Sequence, residues 1–316
     1  MINYLPSGDE LLKISEHIKP YIHRTPVISS SFIDKYTGSH VLFKCENFQK
    51  TGSFKIRGTA NAVLSLKIEQ ISRGIITHSS GNFAQALAYM AARTGMESTI
   101  IMPENSVQAK VSAVKFYGGK VIFCGKNPED RIKKCNEVKE KTHACFIHPY
   151  DDINVIGGHA SCAIEMIKDC ERLDYVFVPV GGGGLASGIC LGFNCISSHT
   201  KVIGVEPEGA DDAYRSLNEN RLIPQTNPKT IADGLRTSLG NINFQILKKY
   251  LAEIITVNDS EIINAMKLIW DKLKIVAEPS GSVSLAGLIK HREKFKGSKT
   301  GVIISGGNID ISKINL

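Results

Sequence analysis

The 316-residue chain lacks the sequence patterns that mark zinc fingers, redox-active dithiols and zinc proteases. It has eight cysteines without a C-x-x-C pair and nine histidines without an H-E-x-x-H run. Most cysteines lie in apolar segments, which predicts buried free thiols, and they include Cys45, Cys124, Cys135, Cys145, Cys162 and Cys195. We therefore expect each histidine to be structural rather than a metal ligand.

Long apolar runs and a targeting leader are also missing. No stretch is long enough to span a bilayer, and the first residues, MINYLPSGDELLKISEHIK, lack a positive leader followed by an apolar core. The formal net charge is +7, but acidic residues are interspersed among the Lys and Arg residues, which form no basic stripe. The sequence thus predicts a soluble cytoplasmic protein that binds neither membrane nor nucleic acid and acts on a small molecule.

From residue 74 onward, short β-rich runs alternate with amphipathic stretches. This rhythm is typical of βαβ units, so we predict an α/β fold with two doubly wound parallel-sheet domains and a cleft between them. No linker or low-complexity tract separates the two. From the rhythm alone, we place the large domain at 1–73 and 150–316 and a smaller inserted domain at 74–149.

A run of four glycines follows a strand-like segment. VFVPV at 176–180 leads into Gly181, Gly182, Gly183 and Gly184, and an apolar helix, LASGICLGF, comes next. Residues without side chains let backbone N–H groups approach a phosphate, and the N-terminus of the helix adds positive charge. A tight turn or helix packing would need only one or two glycines. We therefore predict an anion site here.

A second strand-to-helix turn carries hydroxyl and amide side chains. The strand at 75–78 runs into Ser79, Ser80, Gly81 and Asn82, and the helix begins near Phe83. Such a turn suits a carboxylate, because helix N-termini favour negative charge and these side chains add hydrogen bonds. Taken alone, simple helix capping by a serine explains it equally well.

The segment KTGSFKIRG, at 50–58, holds a lysine between an aromatic and an aliphatic residue. Most lysines are solvated surface charges, and by composition Lys55 is one more of them. Its neighbours Phe54 and Ile56 give an apolar setting that would lower the pKa of the amine and favour imine chemistry.

Five separated segments together carry a family resemblance: KTGSFKIRG, HSSGN at 78–82, HPYDDINVI at 148–156, the four glycines, and SGGN at 305–308. In this order they closely resemble the tryptophan-synthase-β-like pyridoxal-phosphate enzymes. Within that family the chain is most similar to the serine racemase and serine/threonine dehydratase group. The resemblance runs over nearly the whole chain, from HRTPVISSSF at 23–32 onward.

The resemblance implies that pyridoxal 5'-phosphate lies in the cleft, bound by Phe54, Lys55, Asn82, Asn154, Gly181, Gly182, Gly183, Gly184, Leu185 and Ser305. In this set Lys55 would hold the cofactor as a Schiff base, Asn82 would bond its phenolic oxygen, and Ser305 would bond its pyridine nitrogen. A hydroxyl cannot keep a proton on that nitrogen as a carboxylate would. The ring is then a restrained electron sink, which suits removal of an α-proton with prompt loss of a β-hydroxyl.

The expected substrate turn consists of Ser79, Ser80, Gly81, Asn82 and Phe83. Racemisation needs proton-transfer groups on both faces of Cα, and in similar racemases the lysine serves one face and the serine matching Ser80 the other. Threonine dehydratases usually have alanine there, although hydroxyaspartate dehydratases keep the serine. Catalytic Lys55 and Ser80 thus favour a serine racemase with accompanying serine/threonine dehydratase activity. The alternative is a threonine or 3-hydroxyaspartate dehydratase without significant racemisation.

Two positions depart from the racemase pattern near the expected substrate pocket. Phe83 stands where a histidine normally follows SSGN, which removes a polar donor. GHAS at 158–161 stands where G-Q-G-T is usual, so His159 adds a titratable group. The plainer interpretation of His159 is a residue on the helix surface.

The resemblance also implies sites for a cation and a nucleotide. The ligands of Mg²⁺ or Ca²⁺ would be the Glu206 carboxylate, the Ala210 carbonyl and the Asp212 carboxylate, although an acidic surface turn would look the same. Some relatives bind ATP between subunits, and the matching positions are Ser30, Ser31, Lys50, Thr51, Gln85 and Tyr117. Relatives are commonly dimers, so we expect a homodimer.

Two other functions compete with this prediction. Gly182, Gly184 and Ala186 after a strand approximate a dinucleotide-binding fingerprint, and Glu206 ends the next strand, where an acid would hold a ribose. A dinucleotide-dependent oxidoreductase would leave KTGSFKIRG, HSSGN and SGGN unexplained. The second competing function is that of a pyridoxal-phosphate-binding protein without catalysis. The presence of Lys55 and Ser80 argues against it.

Overall fold

The computed structural model describes residues 4–310. Within this range the helices are α1 Gly8–Ile18, α2 Ser31–Thr37, α3 Lys55–Leu64, α4 Ile68–Ile71, α5 Asn82–Thr94, α6 Gln108–Phe116, α7 Pro128–Thr142, α8 Ile153–Asp169, α9 Gly184–Ile196, α10 Asp212–Asn218, α11 Asn241–Tyr250, α12 Asp259–Leu268, α13 Pro279–Lys290 and α14 Arg292–Phe295. The strands are β1 Val27–Ile28, β2 His40–Cys45, β3 Ile75–His78, β4 Ser98–Pro103, β5 Lys120–Cys124, β6 Cys145–Phe146, β7 Tyr175–Pro179, β8 Lys201–Pro207, β9 Glu253–Val257 and β10 Lys299–Ile304.

The larger sheet has six strands in the order β1-β2-β10-β7-β8-β9. Its pairs are parallel except for the two-residue β1, which lies antiparallel to β2 at the edge. The central strands β7, β8 and β10 are rich in β-branched residues and almost entirely buried, because helices cover both faces of a parallel sheet. This sheet confirms the parallel α/β architecture that the rhythm of elements predicts.

The smaller sheet has four parallel strands in the order β5-β4-β3-β6. All four lie between Ile75 and Phe146, in agreement with the alternation of β-rich and amphipathic runs that begins at residue 74 of the sequence. The helix α3, which precedes them in the chain, is nevertheless part of their apolar core, since Ile56 and Ala60 pack with Phe83 and Leu87. The division of the chain at residue 73 therefore stays a proposal.

The strand orders fix where a ligand can bind. In the larger sheet the chain moves from β7 outward through β8 and β9 and then returns to β10 on the other side of β7. In the smaller sheet it moves from β3 through β4 and β5 and returns to β6 on the other side of β3. Crevices form at such switch points, outside the carboxyl ends of the strands. The loops there are 181–183 after β7, 305–308 after β10, 79–81 after β3 and the segment after β6.

Two buried helices support the larger sheet on one face. α8 and α9 pack closely along glycines: a β-carbon on Gly188 would lie 2.7 Å from the Ile156 carbonyl oxygen, and one on Gly192 would lie 2.6 Å from the Ala163 β-carbon. This close approach agrees with the complete burial of the first ten residues of α9, which begins at Gly184.

Some elements differ from the sequence-based expectation. The strands β2 and β9 were not predicted, and β2 contains Lys44, whose fully buried ammonium donates to Glu165 Oε2 at 2.6 Å. A buried lysine in a strand is stable only with such a partner, and this partner is 121 residues away in the sequence. Five of the eight cysteines are buried and all are free, whereas Cys195, at the end of α9, is exposed.

None of the helices in the described range combines the length and the apolar character that crossing a membrane requires.

Candidate active site

The loop before Lys55 is built by two left-handed residues. Thr51 has φ of 62° and Gly52 has φ of 71°, so the chain turns sharply, and a β-carbon on Gly52 would lie 2.1 Å from Asn308 Oδ1. Ser53 then forms a β-bridge with Gly306, and the Phe54 N–H donates to the Ser305 carbonyl at 3.1 Å. The SGGN segment thus holds the lysine segment directly, and Lys55 begins α3 beside the end of β10.

The side chain of Lys55 is half-buried in an apolar setting. Its Nζ atom lies 4.6 Å from the centre of the Phe54 ring. Desolvation lowers the pKa of the amine to about 8, although the nearby Glu278 carboxyl partly opposes this shift. With this pKa roughly a tenth of the amine is neutral and nucleophilic at pH 7, far more than for an ordinary lysine, and imine formation requires the neutral form.

The HSSGN turn lies at the N-terminus of the 13-residue helix α5. Ser79 Oγ accepts a hydrogen bond from the Gly81 N–H at 3.4 Å, while the Ser80 hydroxyl bonds to no residue of the described chain. Ser79, Ser80, Gly81 and Asn82 are all partly exposed, and a β-carbon on Gly81 would meet nothing within 4 Å. The turn therefore offers free donors at the positive end of a helix, which is a suitable place for a carboxylate.

The four glycines form a buried loop between β7 and α9. Gly183 has φ of 88°, and a β-carbon on Gly182 would lie 2.4 Å from the Tyr150 ring, so packing as well as ligand approach requires glycine. The Gly182 carbonyl is held by Asn243 Nδ2 at 2.8 Å and by the Gly240 N–H at 3.2 Å. Among the described residues, no group accepts from the N–H groups of 181–184. Free N–H groups at a helix N-terminus fit a phosphate.

Two aromatic residues, His148 and Tyr150, lie next to the glycine loop. The His148 and Tyr150 rings lie 4.7 Å apart, and Tyr150 also packs on Gly182 and Gly184. Desolvation lowers the pKa of His148 to about 4, and the Lys55 charge acts in the same direction. Nδ1 of His148 accepts from the Asp151 N–H at 2.8 Å. His148 is therefore a neutral imidazole that packs on Tyr150 and experiences the charge of Lys55.

The other residues expected at the cofactor have varied surroundings. Ser305 is buried and its hydroxyl donates only a long bond, 3.4 Å, to the Ser280 carbonyl, so it remains able to bond a ring nitrogen. Leu185 is buried in the first turn of α9. Asn154 lies in the first turn of α8 with its side chain exposed, and its carbonyl accepts from Asn61 Nδ2 at 2.8 Å.

The two departures from the racemase pattern are both buried. Phe83 is 2% exposed and packs in the apolar core beside the smaller sheet, which explains how the turn tolerates it without a polar partner. His159 is 0% exposed, so the expectation of a helix-surface residue is wrong. The reason is the close packing of α8 on α3, where a β-carbon on Gly58 would lie 2.5 Å from the His159 ring.

Sequence reasoning missed three polar residues near this site. Glu278, before α13, accepts from Asn82 Nδ2 at 2.8 Å, and Asn308 Nδ2 donates to Asn82 Oδ1 at 3.0 Å. Arg131 of α7 has a buried Nε that bonds to none of the described residues, and its charge helps to lower the pKa of His78 and His148. Asn308 belongs to the SGGN motif, which was a usable signal. Glu278 and Arg131 lie in segments with no motif.

The residues expected to hold a cation are buried together at the end of β8. Glu206 Oε1 and Oε2 accept from the N–H groups of Ala213 and Tyr214 at 3.1 and 2.7 Å. Asp212 Oδ2 accepts from the Leu239 N–H, while Oδ1 is buried without a partner. No group of three or more His, Cys, Asp or Glu side chains in the described range forms a metal cluster, so the set comprises two carboxylates and the buried Ala210. An orphaned buried carboxylate oxygen fits a hard cation.

The same geometry weighs against dinucleotide binding. The Glu206 carboxylate is fully buried and occupied by two backbone N–H groups, so it does not project from the strand toward a ribose.

Comparison with known proteins gives the family of the chain. The family model described as "Pyridoxal-phosphate dependent enzyme" matches residues 18–306. The chain is 43% identical to a beta-hydroxyaspartate dehydratase from Paracoccus denitrificans over 98% of this chain and 99% of the other, and 42% identical to a serine racemase from Dictyostelium discoideum over 97% and 96%. The structure of maize serine racemase superposes with a TM-score of 0.95 at 38% identity, covering 98% and 95% of the two chains. The fold is therefore tryptophan-synthase-β-like, and the chain belongs to the pyridoxal-phosphate-dependent enzyme family that includes serine racemases and 3-hydroxyaspartate ammonia-lyases.

Proposed function

We propose that this enzyme is a serine racemase that also dehydrates serine and threonine. One observation carries the proposal: Asn308 Nδ2 donates to both the Thr51 carbonyl and Asn82 Oδ1. Thr51 belongs to the loop at 50–54, here called the lysine loop, and Asn82 to the turn at 79–82, here called the serine turn. A single amide thus fixes the segment of Lys55 relative to the segment of Ser80. Racemisation requires one proton-transfer group on each face of Cα, and the two joined segments would supply one group each.

Pyridoxal phosphate, when bound, supplies an electron-withdrawing ring that acidifies the Cα–H bond of an amino acid. The N–H groups of the glycine loop would hold its phosphate, and the Ser305 hydroxyl its pyridine nitrogen. The free donors of the Ser79–Asn82 turn would bind the substrate carboxylate. Lys55, with its lowered pKa, would take a proton from one face of Cα. The unbonded Ser80 hydroxyl would return one on the other face.

The Ser80→Ala variant tests the racemase proposal. Its release of pyruvate from L-serine should change by less than about fivefold, because elimination needs only the lysine base, while D-serine formation should fall by about 100-fold or more. Both products are measured in one reaction, by coupled keto-acid assay and chiral chromatography. An equal loss of pyruvate release and D-serine formation would show that Ser80 does not transfer a proton at one face of Cα. Ser79→Ala, one residue away, should not change the ratio of products.

A specific observation also favours 3-hydroxyaspartate as a substrate. The Arg131 guanidinium forms no ion pair with the described residues, and its charge reaches His78, which immediately precedes the serine turn. A cation held free beside the turn suits the second carboxylate of a dicarboxylic amino acid, because Arg binds carboxylates through paired hydrogen bonds.

The Arg131→Gln variant separates these substrates. Its kcat/KM for 3-hydroxyaspartate should fall by about 100-fold, whereas its kcat/KM for L-serine should change by less than about threefold. Arg172→Gln, an exposed arginine at the start of the segment before β7, is the control. A parallel loss for both substrates would show that Arg131 supports the structure rather than the second carboxylate. The kcat/KM for L-threonine is measured in the same variants.

We also propose a structural divalent cation at Glu206, Ala210 and Asp212. The support is the pair of buried carboxylates and the orphaned Asp212 Oδ1, since buried anions need a counter-charge. Mg²⁺ or Ca²⁺ added to chelator-treated protein should raise the Tm, and Asp212→Asn should lose the response. An unchanged Tm in the parent protein would refute the cation.

ATP as an effector and a homodimeric assembly are proposed from the resemblance. The six matching positions lie at the start of α2, in the loop before Lys55, in α5 and directly after α6. Thr51 Oγ1 is buried without a partner in the described chain. Sedimentation velocity gives the mass of the particle, and titration with ATP at fixed L-serine concentration tests the activation.

A further inference from the structure

The amide side chain of Asn82 is held from both ends by other side chains. Its Nδ2 donates to Glu278 Oε1 at 2.8 Å, and its Oδ1 accepts from Asn308 Nδ2 at 3.0 Å. Asn308 Nδ2 also donates to the Thr51 carbonyl at 2.7 Å. These contacts join four separate segments: the lysine loop, the serine turn, the residue before α13 and the SGGN segment.

The pattern of donors and acceptors fixes which way each amide faces. The Thr51 carbonyl can only accept, so the Asn308 atom beside it must be the nitrogen. That nitrogen donates its second hydrogen to Asn82, so the Asn82 atom beside it must be the oxygen. The Asn82 nitrogen then faces Glu278 with one of its two hydrogens. One N–H of Asn82 is left without a partner among the described residues.

Glu278 is placed for this contact by its backbone and by a glycine. Its own N–H donates to the Gly306 carbonyl at 3.0 Å, and a β-carbon on Gly306 would lie 2.5 Å from Glu278 Oε1. The residue is 4% exposed and forms no ion pair within the described chain. Desolvation raises the pKa of the carboxyl to about 8, and the Asn82 hydrogen bond works against this rise. Within the described chain, the side-chain contact of this buried carboxyl is therefore with a neutral amide, that of Asn82.

We propose that Glu278 and Asn308 are positioning residues that hold the side-chain amide of Asn82 with one N–H directed to the phenolic oxygen of the cofactor. This inference rests on the proposed role of Asn82 in binding that oxygen. In this proposal both partners act through Asn82, since each bonds its side-chain amide directly. Without Asn308 the amide of Asn82 is held only by Glu278. Rotation by half a turn would then present its oxygen to the phenolic oxygen and replace attraction by repulsion.

The experiment measures the preference of the apoenzyme for a phenolic oxygen. The dissociation constants of pyridoxal phosphate and of its 3-deoxy analogue, which lacks that oxygen, are determined by equilibrium absorbance titration. Their ratio in the parent protein should be about 10 to 100, as expected for one hydrogen bond to a charged acceptor. Asn82→Ala should reduce the ratio to about 1. Binding is read without turnover, so activity does not enter.

Asn308→Asp is the main variant, since it keeps the size of the side chain but replaces the donor by an acceptor. It should lower the ratio to the value of Asn82→Ala and change the absorbance maximum of the bound cofactor. Glu278→Ala should lower the ratio about tenfold, whereas Glu278→Gln should keep it, because an amide oxygen still accepts from Asn82. Asn47→Ala is the matched control: Asn47 Nδ2 bonds only the Val276 carbonyl, at 3.0 Å, so its loss should leave the ratio unchanged.

The outcomes separate this inference from the function it rests on. A lowered ratio in Asn82→Ala with parent-like ratios in Asn308→Asp and Glu278→Ala would overturn the positioning role and leave the cofactor contact intact. A parent-like ratio in Asn82→Ala would overturn both. Should Glu278→Ala fail to fold, Asn308→Asp still decides the matter, since it preserves side-chain volume and is expected to lower the ratio.

Discussion

The rings of Phe54 and His159 lie 4.8 Å apart in a T-shaped contact, and the Nζ atom of Lys55 lies 4.6 Å from the centre of the same Phe54 ring. His159 therefore supports the residue that packs beside the amine. Both of its nitrogens are buried without a partner in the described chain. A histidine in this place must stay neutral, and desolvation, with help from the Lys55 and Arg57 charges, holds its pKa well below 6.5.

This burial predicts a loss of stability in acid. Below pH 6.5 the unfolded state takes up a proton at this histidine while the folded state does not, so stability is lost as the pH falls. The contribution is about 1.4 kcal/mol for each pH unit below the unfolded pKa. Urea unfolding of the parent protein and of His159→Leu at pH 7.5 and 5.5 measures it.

The His159→Leu variant should lose about 1.4 kcal/mol less than the parent between these two pH values. His199→Leu is the control, since His199 is exposed. Identical pH dependence in the parent and His159→Leu would mean that His159 takes up its proton in the folded state.

Lys55 should react with aldehydes far faster than other lysines at mild pH. With a pKa of about 8, roughly half of its amine is neutral at pH 8, against well under about 1% for a lysine at 10.5, so the rate advantage is on the order of 100-fold. Brief reductive methylation of the apoenzyme between pH 6 and 10, read by peptide mass spectrometry, gives the profile. Its midpoint should lie near pH 8, and Lys201, an exposed lysine, serves as the reference. Equal labelling of the two at pH 8 would contradict the apolar setting.

Arg57, two residues after the lysine, should be essential for stability. Its fully buried guanidinium donates to Glu46 at 2.7 and 2.8 Å and to Glu165 at 2.8 and 2.8 Å, tying α3 to the end of β2 and to α8. Arg57→Leu leaves two buried carboxylates short of a counter-charge, with an expected loss of about 3 to 5 kcal/mol in the free energy of unfolding.

The matched control for Arg57 is a surface pair. Arg24 bonds Asp169 with its side chain mostly exposed, so Arg24→Ala should cost less than about 1 kcal/mol. Urea unfolding measures both variants. Similar losses of unfolding free energy in the two variants would show that Lys44 alone supplies a sufficient counter-charge for the buried carboxylates.

The sequence predicts the loops of the site better than the groups that support them. The glycine run, the serine turn and SGGN follow parallel strands, and strand ends at switch points meet for topological reasons. Lys44, Arg57 and Glu278 could not be assigned in this way, because their burial depends on partners far away in the sequence. His159 was misjudged for the same reason, since only the packing of α8 on α3 covers it.

A substitution at Gly81 should weaken substrate binding without destabilising the fold. This glycine precedes α5 with a negative φ of −124°, and a β-carbon there would meet nothing within 4 Å. Gly81→Ala should therefore change the free energy of unfolding by less than about 1 kcal/mol and leave cofactor binding intact. A methyl group in the proposed carboxylate turn should instead raise KM for L-serine by about tenfold.

The contrast is Gly182→Ala, whose β-carbon would lie 2.4 Å from the Tyr150 ring, so this variant should lose both stability and the absorbance of the bound cofactor. Thermal unfolding, cofactor absorbance and steady-state kinetics are compared for the two. An unchanged KM in Gly81→Ala would place the substrate carboxylate away from this turn, because no methyl group fits between a carboxylate and the backbone N–H groups that bind it.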